Sequence, residues 1–192
     1  MSKQLLPTKF VTPEIVCSFP NLFEVSEYDG KYSLSIPISK QDQESINQIN
    51  QYVKNAVINK WGEKALAKIG KGIEVHIRDA AEKYEDDDPV YAGTKFFNAK
   101  SSNRPGIVDS ELQPIMDREE VYAGCIIRAS VNFYGYEYQG KKGVAAGLQN
   151  VMKVRDGEPL GSKSNAADDF GAFAGSGSSS NASQSESFGN VF

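Results

Sequence analysis

Residues 31–38 alternate strictly, with Tyr32, Leu34 and Ile36 on one face and Lys31, Ser33 and Ser35 on the other. A period of two marks a strand with one buried side. Ile73, Val75 and Ile77 alternate in the same way with Glu74, His76 and Arg78. The apolar run 11–19 predicts a first strand and residues 91–101 a further one. Residues 122–138, bent at Gly135, form the longest candidate, followed by a turn over 140–143 and a last strand near 148–155. Between the early strands the period changes. Ile46, Ile49, Val53, Val57 and Trp61 recur at helical spacing within residues 39–61, and Ser39 with Asp42 resembles a capping box. A short second helix reaches Ile69 and ends at Gly70 and Gly72. Residues 82–89 read as an acidic loop and Arg104-Pro105-Gly106 as a turn. Short strands, Gly-containing turns and one prominent helix predict a mainly β protein with α, a small barrel rather than a parallel α/β sheet.

The pattern stops after residue 160. Residues 161–192 are mostly Gly, Ser, Asn and Ala, with isolated Phe170, Phe173, Phe188 and Phe192. Such a composition buries too little apolar surface to offset its ordering entropy. The expected organisation is a folded domain over residues 1–160 and a flexible Gly/Ser-rich tail over 161–192, with a reach of roughly 30 Å.

The chain has 192 residues, of which 40% are hydrophobic, enough for one domain with a proper core. No apolar run approaches the ~18 residues of a membrane span, and residues 1–10 lack the layout of a secretory signal. Cys17 and Cys125 show no CxxC spacing and read as reduced, buried thiols of a cytoplasmic protein.

A net charge of −4 argues against a simple basic nucleic-acid binder. Its distribution answers that objection. The acids concentrate in residues 79–88, where Lys83 is alone among Asp79, Glu82, Glu85, Asp86, Asp87 and Asp88, and the tail adds a further −2, Lys163 against Asp168, Asp169 and Glu186. Residues 94–104 carry Lys95, Lys100 and Arg104 with no acid, and residues 128–155 carry Arg128, Lys141, Lys142, Lys153 and Arg155 against Glu137. A local groove decides binding more than net charge does.

Residues 128–138 carry the clearest candidate chemistry. Ile127, Ala129, Val131 and Phe133 share one face, which reads as core; Arg128, Ser130, Asn132, Tyr134, Tyr136 and Tyr138 share the other. A row of exposed tyrosines among polar and cationic groups suits unpaired bases, since every base has a π-face, and each stack is worth about 1–3 kcal/mol. The alternative is that the rings cover a neighbouring helix or loop. In 94–100, Phe96 falls with Thr94, Asn98 and Lys100, and Phe97 with Lys95; Phe96 is assigned to the ligand face and Phe97 to the core, in a register that a one-residue slip reverses. Tyr134, Tyr136, Tyr138 and Phe96 are therefore the candidate stacking residues. Arg128, Asn132, Lys95, Lys100, Arg104, Lys141 and Lys142 are the candidate phosphate or polar contacts.

Enzyme chemistry finds little to use. His76 is the one histidine, which leaves zinc sites and His-based nucleophiles without ligands or bases; beside Arg78 it reads as a surface or groove residue. Asp86, Asp87 and Asp88 could hold Mg²⁺ as a nuclease would, but consecutive carboxylates on a solvated loop usually have no catalytic part. Residues 140–147 lack the GxxxxGK[ST] spacing of a phosphate loop. No metal or cofactor is expected.

Three separated blocks carry a family likeness. Residues 121–161, VYAGCIIRASVNFYGYEYQGKKGVAAGLQNVMKVRDGEPLG, together with YAGTKFFNAKSSNRPGIVD (91–109) and FVTPEIVCSFPNLFE (10–24), resemble a family of tailed-phage and prophage proteins first catalogued as a domain of unknown function. Its members are OB-fold single-stranded DNA-binding proteins. The resemblance implies a five-stranded OB barrel that coats single strands during phage DNA replication, recombination or repair, with no catalytic motif. It also implies that the tail recruits replication proteins, with Asp168, Asp169, Phe170 and Phe192 as the matching residues. The rival functions are a phage protein-interaction module without DNA binding and a Mg²⁺-dependent nuclease using Asp87 and Asp88.

Overall fold

A computed structural model describes residues 5–161. In chain order its elements are β1 (Lys9–Val11), β2 (Ile15–Val16), β3 (Ser18–Asn21), β4 (Tyr32–Ser39), α1 (Gln43–Trp61), β5 (Ile73–Val75), β6 (Arg78–Asp79), β7 (Thr94–Ser101), β8 (Gly106–Val108), β9 (Ile126–Tyr138) and β10 (Lys141–Arg155). The strands form one sheet along the path β1-β9-β10-β7-β4-β3, with β2, β5, β6 and β8 attached to it as branches. Five stretches carry this path: residues 9–21, β4, β7, β9 and β10. The first is shared between both ends of the sheet. Its β1 and β2 lie antiparallel to β9, and its β3 antiparallel to β4. The hydrogen-bonded path stays open, yet its two ends belong to one continuous segment. The mainly β fold with one prominent helix is as the residue pattern predicts.

The first strand breaks around Pro13, which has no N–H to give a ladder. Thr12 compensates: its N–H donates to Ala129 O (2.9 Å) and its Oγ1 accepts from Ala129 N–H (2.9 Å). Helix α1 begins later than the capping-box spacing suggests. Ser39 ends β4, and the cap is Asp42, whose side chain accepts from Ser45 N–H at 3.0 Å. Ile49, Val53, Ala56 and Val57 are buried against the sheet, with Ile46 and Trp61 packed at the margin. Each large aliphatic among them contributes about 1.5–3 kcal/mol through burial. The turn after the helix, Glu63–Lys68, is a 3₁₀ segment.

On β9 the expected core face holds. Ile127, Ala129, Val131 and Phe133 are buried, and Phe133 meets Phe97 at 5.5 Å between ring centres. At Gly135 the β9–β10 register runs unbroken, Gly135 pairing with Val144. Its role is close approach: a Cβ there would lie 2.8 Å from Lys60 Cβ and 2.9 Å from Trp61 Cζ3, so glycine lets the end of α1 rest on the strand.

Strand β10 begins at Lys141, well before the expected start near 148. The connection is the two-residue turn Gln139-Gly140, with φ of 49° and 76°. Two successive positive φ values match the right-handed twist of the flanking strands. Lys141 and Lys142 are thus strand residues opposite Tyr138 and Glu137, not turn residues. Gly143, Ala145 and Gly147 have poor strand propensity on their own; the long ladder to β9 holds them in place.

The predicted strand over 73–78 divides in two, because its halves pair with different neighbours. Strand β5 runs parallel to β10, whereas β6 runs antiparallel to β7. The outer face of β4, read as solvated, is also covered. Ser35 is buried with the Tyr91 hydroxyl 2.7 Å from its Oγ and 3.1 Å from Ser18 Oγ. Cys17 and Cys125 are free and buried, and the neighbouring Cys125 thiol together with burial pushes the Cys17 thiol well above its ordinary value. No helix among the described residues is long and apolar enough to cross a membrane.

Replacing Gly135 with alanine forces a Cβ into the α1 contact. The expected result is a loss of about 1–3 kcal/mol of stability, the usual cost of overpacking, read as a lower urea midpoint; an unchanged midpoint contradicts the close-approach role.

Candidate nucleic-acid interface

Strands β7 and β10 are neighbours only at Ala146↔Ala99 and Gly147↔Lys100. From there they diverge, and the segment 73–79 fills the fork, with β5 on β10 and β6 on β7. At this fork lies a groove of about 680 Å³. Its floor is apolar, made of Phe97, Phe133, Val144 and Val53, and its rim carries Tyr134, Tyr136, Tyr138, His76, Asn98 and the cations Lys31, Arg78, Lys83 and Lys100. No Asp or Glu lines it. In a chain of net charge −4, this is a local concentration of positive charge.

The rings owe their positions to missing side chains on the partner strand. Tyr136 faces Gly143 across the ladder, and a Cβ on Gly143 would lie 2.6 Å from Tyr136 Cζ. The ring lies flat over the glycine. Tyr134 does the same diagonally, with its Cε1 3.3 Å from where a Gly147 Cβ would be. Gly143, Ala145 and Gly147 therefore make a shallow floor along β10, bordered by large rings on β9. His76 Nε2 lies 2.9 Å from Tyr136 Oη, the two rings nearly parallel at 17°, which fixes the tyrosine from its other end. Tyr134 and Tyr138 remain 46% and 69% exposed.

Lys100 is held by Asp29, Nζ to Oδ2 at 2.6 Å, and the ammonium keeps the Asp29 carboxyl below its ordinary value despite partial desolvation. Lys83 lies 5.1 Å from the Tyr84 ring. Both cations line the groove.

Five of the candidate residues, Tyr134, Tyr136, Tyr138, Lys100 and Phe96, line this groove, and the rest do not. Phe96 does border the groove, but it is only 4% exposed, edge-on beneath Tyr84 and Tyr91 at 5.4 Å from each. It has no ring face to offer a base, because the loop after β6 folds over it. The assignment of Phe96 to stacking is therefore corrected; both Phe96 and Phe97 are packing residues. Lys95 lies on the opposite side of β7, lining a second cleft with Ile38, Ile46 and Val53. Arg104 places its guanidinium 5.1 Å from the Phe23 ring. Arg128 sits far down β9, where its guanidinium donates to Thr12 O at 3.3 Å and approaches Glu14 at 3.8 Å. Asn132 accepts from Thr8 Oγ1 at 2.7 Å. Lys142 lies 3.7 Å from Glu137 and 5.9 Å from the Trp61 ring centre, and Lys141 is exposed at the start of β10. Asp168, Asp169, Phe170 and Phe192 lie outside the described residues.

Lys31, Arg78 and Lys83 were missed as rim cations. They are distant in sequence and meet only because β5 and β6 fill the fork. Alternation in 73–78 did put Arg78 on the same side as His76, and that was the usable signal. Within the acidic loop Asp88 has a structural part: its Oδ1 accepts from Val90 N–H and Tyr91 N–H, each at 2.8 Å. Among the described residues no group of three His, Cys, Asp or Glu is arranged to hold a metal ion.

A sequence model of the family described as Enterobacter phage Enc34, ssDNA-binding protein, matches residues 8–182. Protein p50 of Acyrthosiphon pisum secondary endosymbiont phage 1 is 34% identical over 151 residues, which span 73% of this chain and 80% of p50. Among solved structures, the single-stranded DNA-binding protein of bacteriophage Enc34 in complex with ssDNA aligns with a TM-score of 0.67 at 24% identity, over 80% of this chain and 90% of that one. The gp2.5 single-stranded DNA-binding protein of bacteriophage T7 aligns with a TM-score of 0.58 at 15% identity, over 91% of this chain and 98% of that one. At these identities the structural likeness establishes a shared OB-like fold.

Since Tyr136 owes its place to Gly143, Gly143→Ala should dislodge the ring from His76. His76 is the one histidine, so its imidazole resonances report the event in a proton NMR spectrum. A clear shift is expected; resonances identical to the parent's contradict the packing described.

Proposed function

We propose that this chain, which belongs to the Enterobacter phage Enc34 family of single-stranded DNA-binding proteins, binds unpaired DNA in the groove at the β7–β10 fork. The observation that carries the reading is a groove whose charged lining is wholly cationic and whose wall is a row of tyrosines from one strand. Tyr134, Tyr136 and Tyr138 stack on bases, while Lys31, Arg78, Lys83 and Lys100 meet phosphates. Rings accept any base, so recognition is tolerant of sequence. A duplex keeps its base faces stacked internally and has none to offer, so selectivity for single strands follows from the same contact.

Magnitudes support a working affinity. Two or three stacks at about 1–3 kcal/mol each, with phosphate contacts, reach the ~8 kcal/mol of a micromolar complex after ordering costs. The role is non-catalytic: the strand is held and covered, as suits phage DNA replication, recombination or repair. The tail, with Asp168, Asp169, Phe170 and Phe192, is proposed as a recruiting element for replication proteins.

A titration of single- against double-stranded oligonucleotides at low salt tests the reading, with preference for the single strand expected and no binding to either overturning it. With four cations on phosphates, log affinity should fall against log salt with a slope near −2.8, about −0.7 per phosphate; an affinity indifferent to salt contradicts the phosphate assignment. Replacing Tyr134 and Tyr136 with alanine should weaken binding at least about tenfold, from two lost stacks, with little change in melting temperature. A large fall in melting temperature with unchanged affinity would favour a packing role for both rings.

A further inference from the structure

We infer that Phe19 is a second stacking point for single-stranded DNA beyond the end of the groove, so that the bound strand continues across β7 and β4 to β3. The inference rests on the groove reading above and extends its site.

Phe19 is 63% exposed although it lies within a strand of the sheet. The backbone is arranged to expose it. Its φ is +48°, the left-handed region that costs a residue with a Cβ about 1–3 kcal/mol. Ser18 pairs with Ser35 and Asn21 with Ser33, so three steps along β3 oppose two along β4. That is a bulge, a device that re-aims one side chain out of the ladder. Pro20 follows directly and withholds an N–H from the ladder. A bulge and a left-handed phenylalanine would be an expensive way to wet an apolar ring that had no ligand.

The ring also has a rigid backing that leads to the groove. Its centre is 6.4 Å from that of Tyr91, at 32°. Tyr91 is buried, held by Ser18 and Ser35 at its hydroxyl, and stacked on Tyr84 at 3.9 Å and 5°. Tyr91 in turn lies 5.4 Å from Phe96, which borders the groove along with Lys83. Two ring-to-ring steps thus join Phe19 to the groove wall, in the same direction as the strand order β10-β7-β4-β3. A stretched single strand crosses that distance in a few nucleotides. Lys83, whose Nζ lies 5.9 Å from the Phe96 ring centre at the groove wall, is positioned for the phosphate that leaves the groove. Two buried ring contacts, Phe19 to Tyr91 and Tyr91 to Phe96, place the exposed Phe19 ring close to a groove whose charged lining is cationic, and that proximity selects a nucleobase as the occupant.

The test compares the full chain with Phe19→Ala and Phe19→Trp, using labelled oligothymidylates of about 5 and about 15 nucleotides, near the two ends of the range that one OB domain covers. Phe19→Ala should bind the short strand like the parent and the long strand at least about fivefold more weakly, the loss of one stack. Phe19→Trp should retain the long-strand affinity. Equal long-strand binding by parent and Phe19→Ala overturns the inference. So does an equal loss on both lengths, which would put Phe19 inside the groove site. If the parent itself binds neither strand, the groove reading fails first, and this extension falls with it.

Discussion

Tyr136 lies flat across Gly143 because a glycine leaves nothing there to lift it. The rest of the interface depends on that contact and on its diagonal counterpart between Tyr134 and Gly147. Within the long antiparallel ladder, the pairs Tyr136↔Gly143, Tyr134↔Ala145, Phe133↔Ala146 and Asn132↔Gly147 set large residues of β9 against small ones of β10. On the core side the same strand buries Ile127, Ala129, Val131 and Phe133. The two-residue period thus joins stability and binding in one strand. The apolar face fixes the register, and the register aims the rings.

The electrostatics follow from topology. The diverging strands β7 and β10 leave a fork, and the segment that fills it brings Arg78 to Lys100 of β7 and to Lys31, just before β4. Acidic residues are abundant but are used elsewhere: Asp88 ties down the loop that carries Tyr91, and Asp29 steadies Lys100 at the groove edge. A chain of net charge −4 can therefore present a positive groove, because the field a ligand meets at close range is set by the nearest groups.

Much of this was legible in the residues. The faces of β9 follow from its alternation, and the helix from its 3.6-residue spacing, since both patterns are local. The start of β10 was not, because Gly143 and Gly147 look like turn residues until a partner strand explains them. The mistaken face of Phe96 has a similar origin. Alternation separates Phe96 from Phe97 correctly, yet it cannot reveal that Tyr84 and Tyr91 of the preceding loop cover the outer one. The rim cations Lys31, Arg78 and Lys83 were missed for the same reason: each is unremarkable in its own segment. Local period was readable and long-range coverage was not, which is why the tyrosine row and Lys100 were read from the sequence and Lys31, Arg78 and Lys83 were not.

The central claim is direct contact between the β9 rings and unpaired bases. Photo-crosslinking to an oligonucleotide carrying 5-iodouracil, followed by mass spectrometric mapping, tests it most directly. The account predicts adducts on Tyr134, Tyr136 or Tyr138. Adducts confined to Tyr52 or Tyr122, with none on β9, would contradict it.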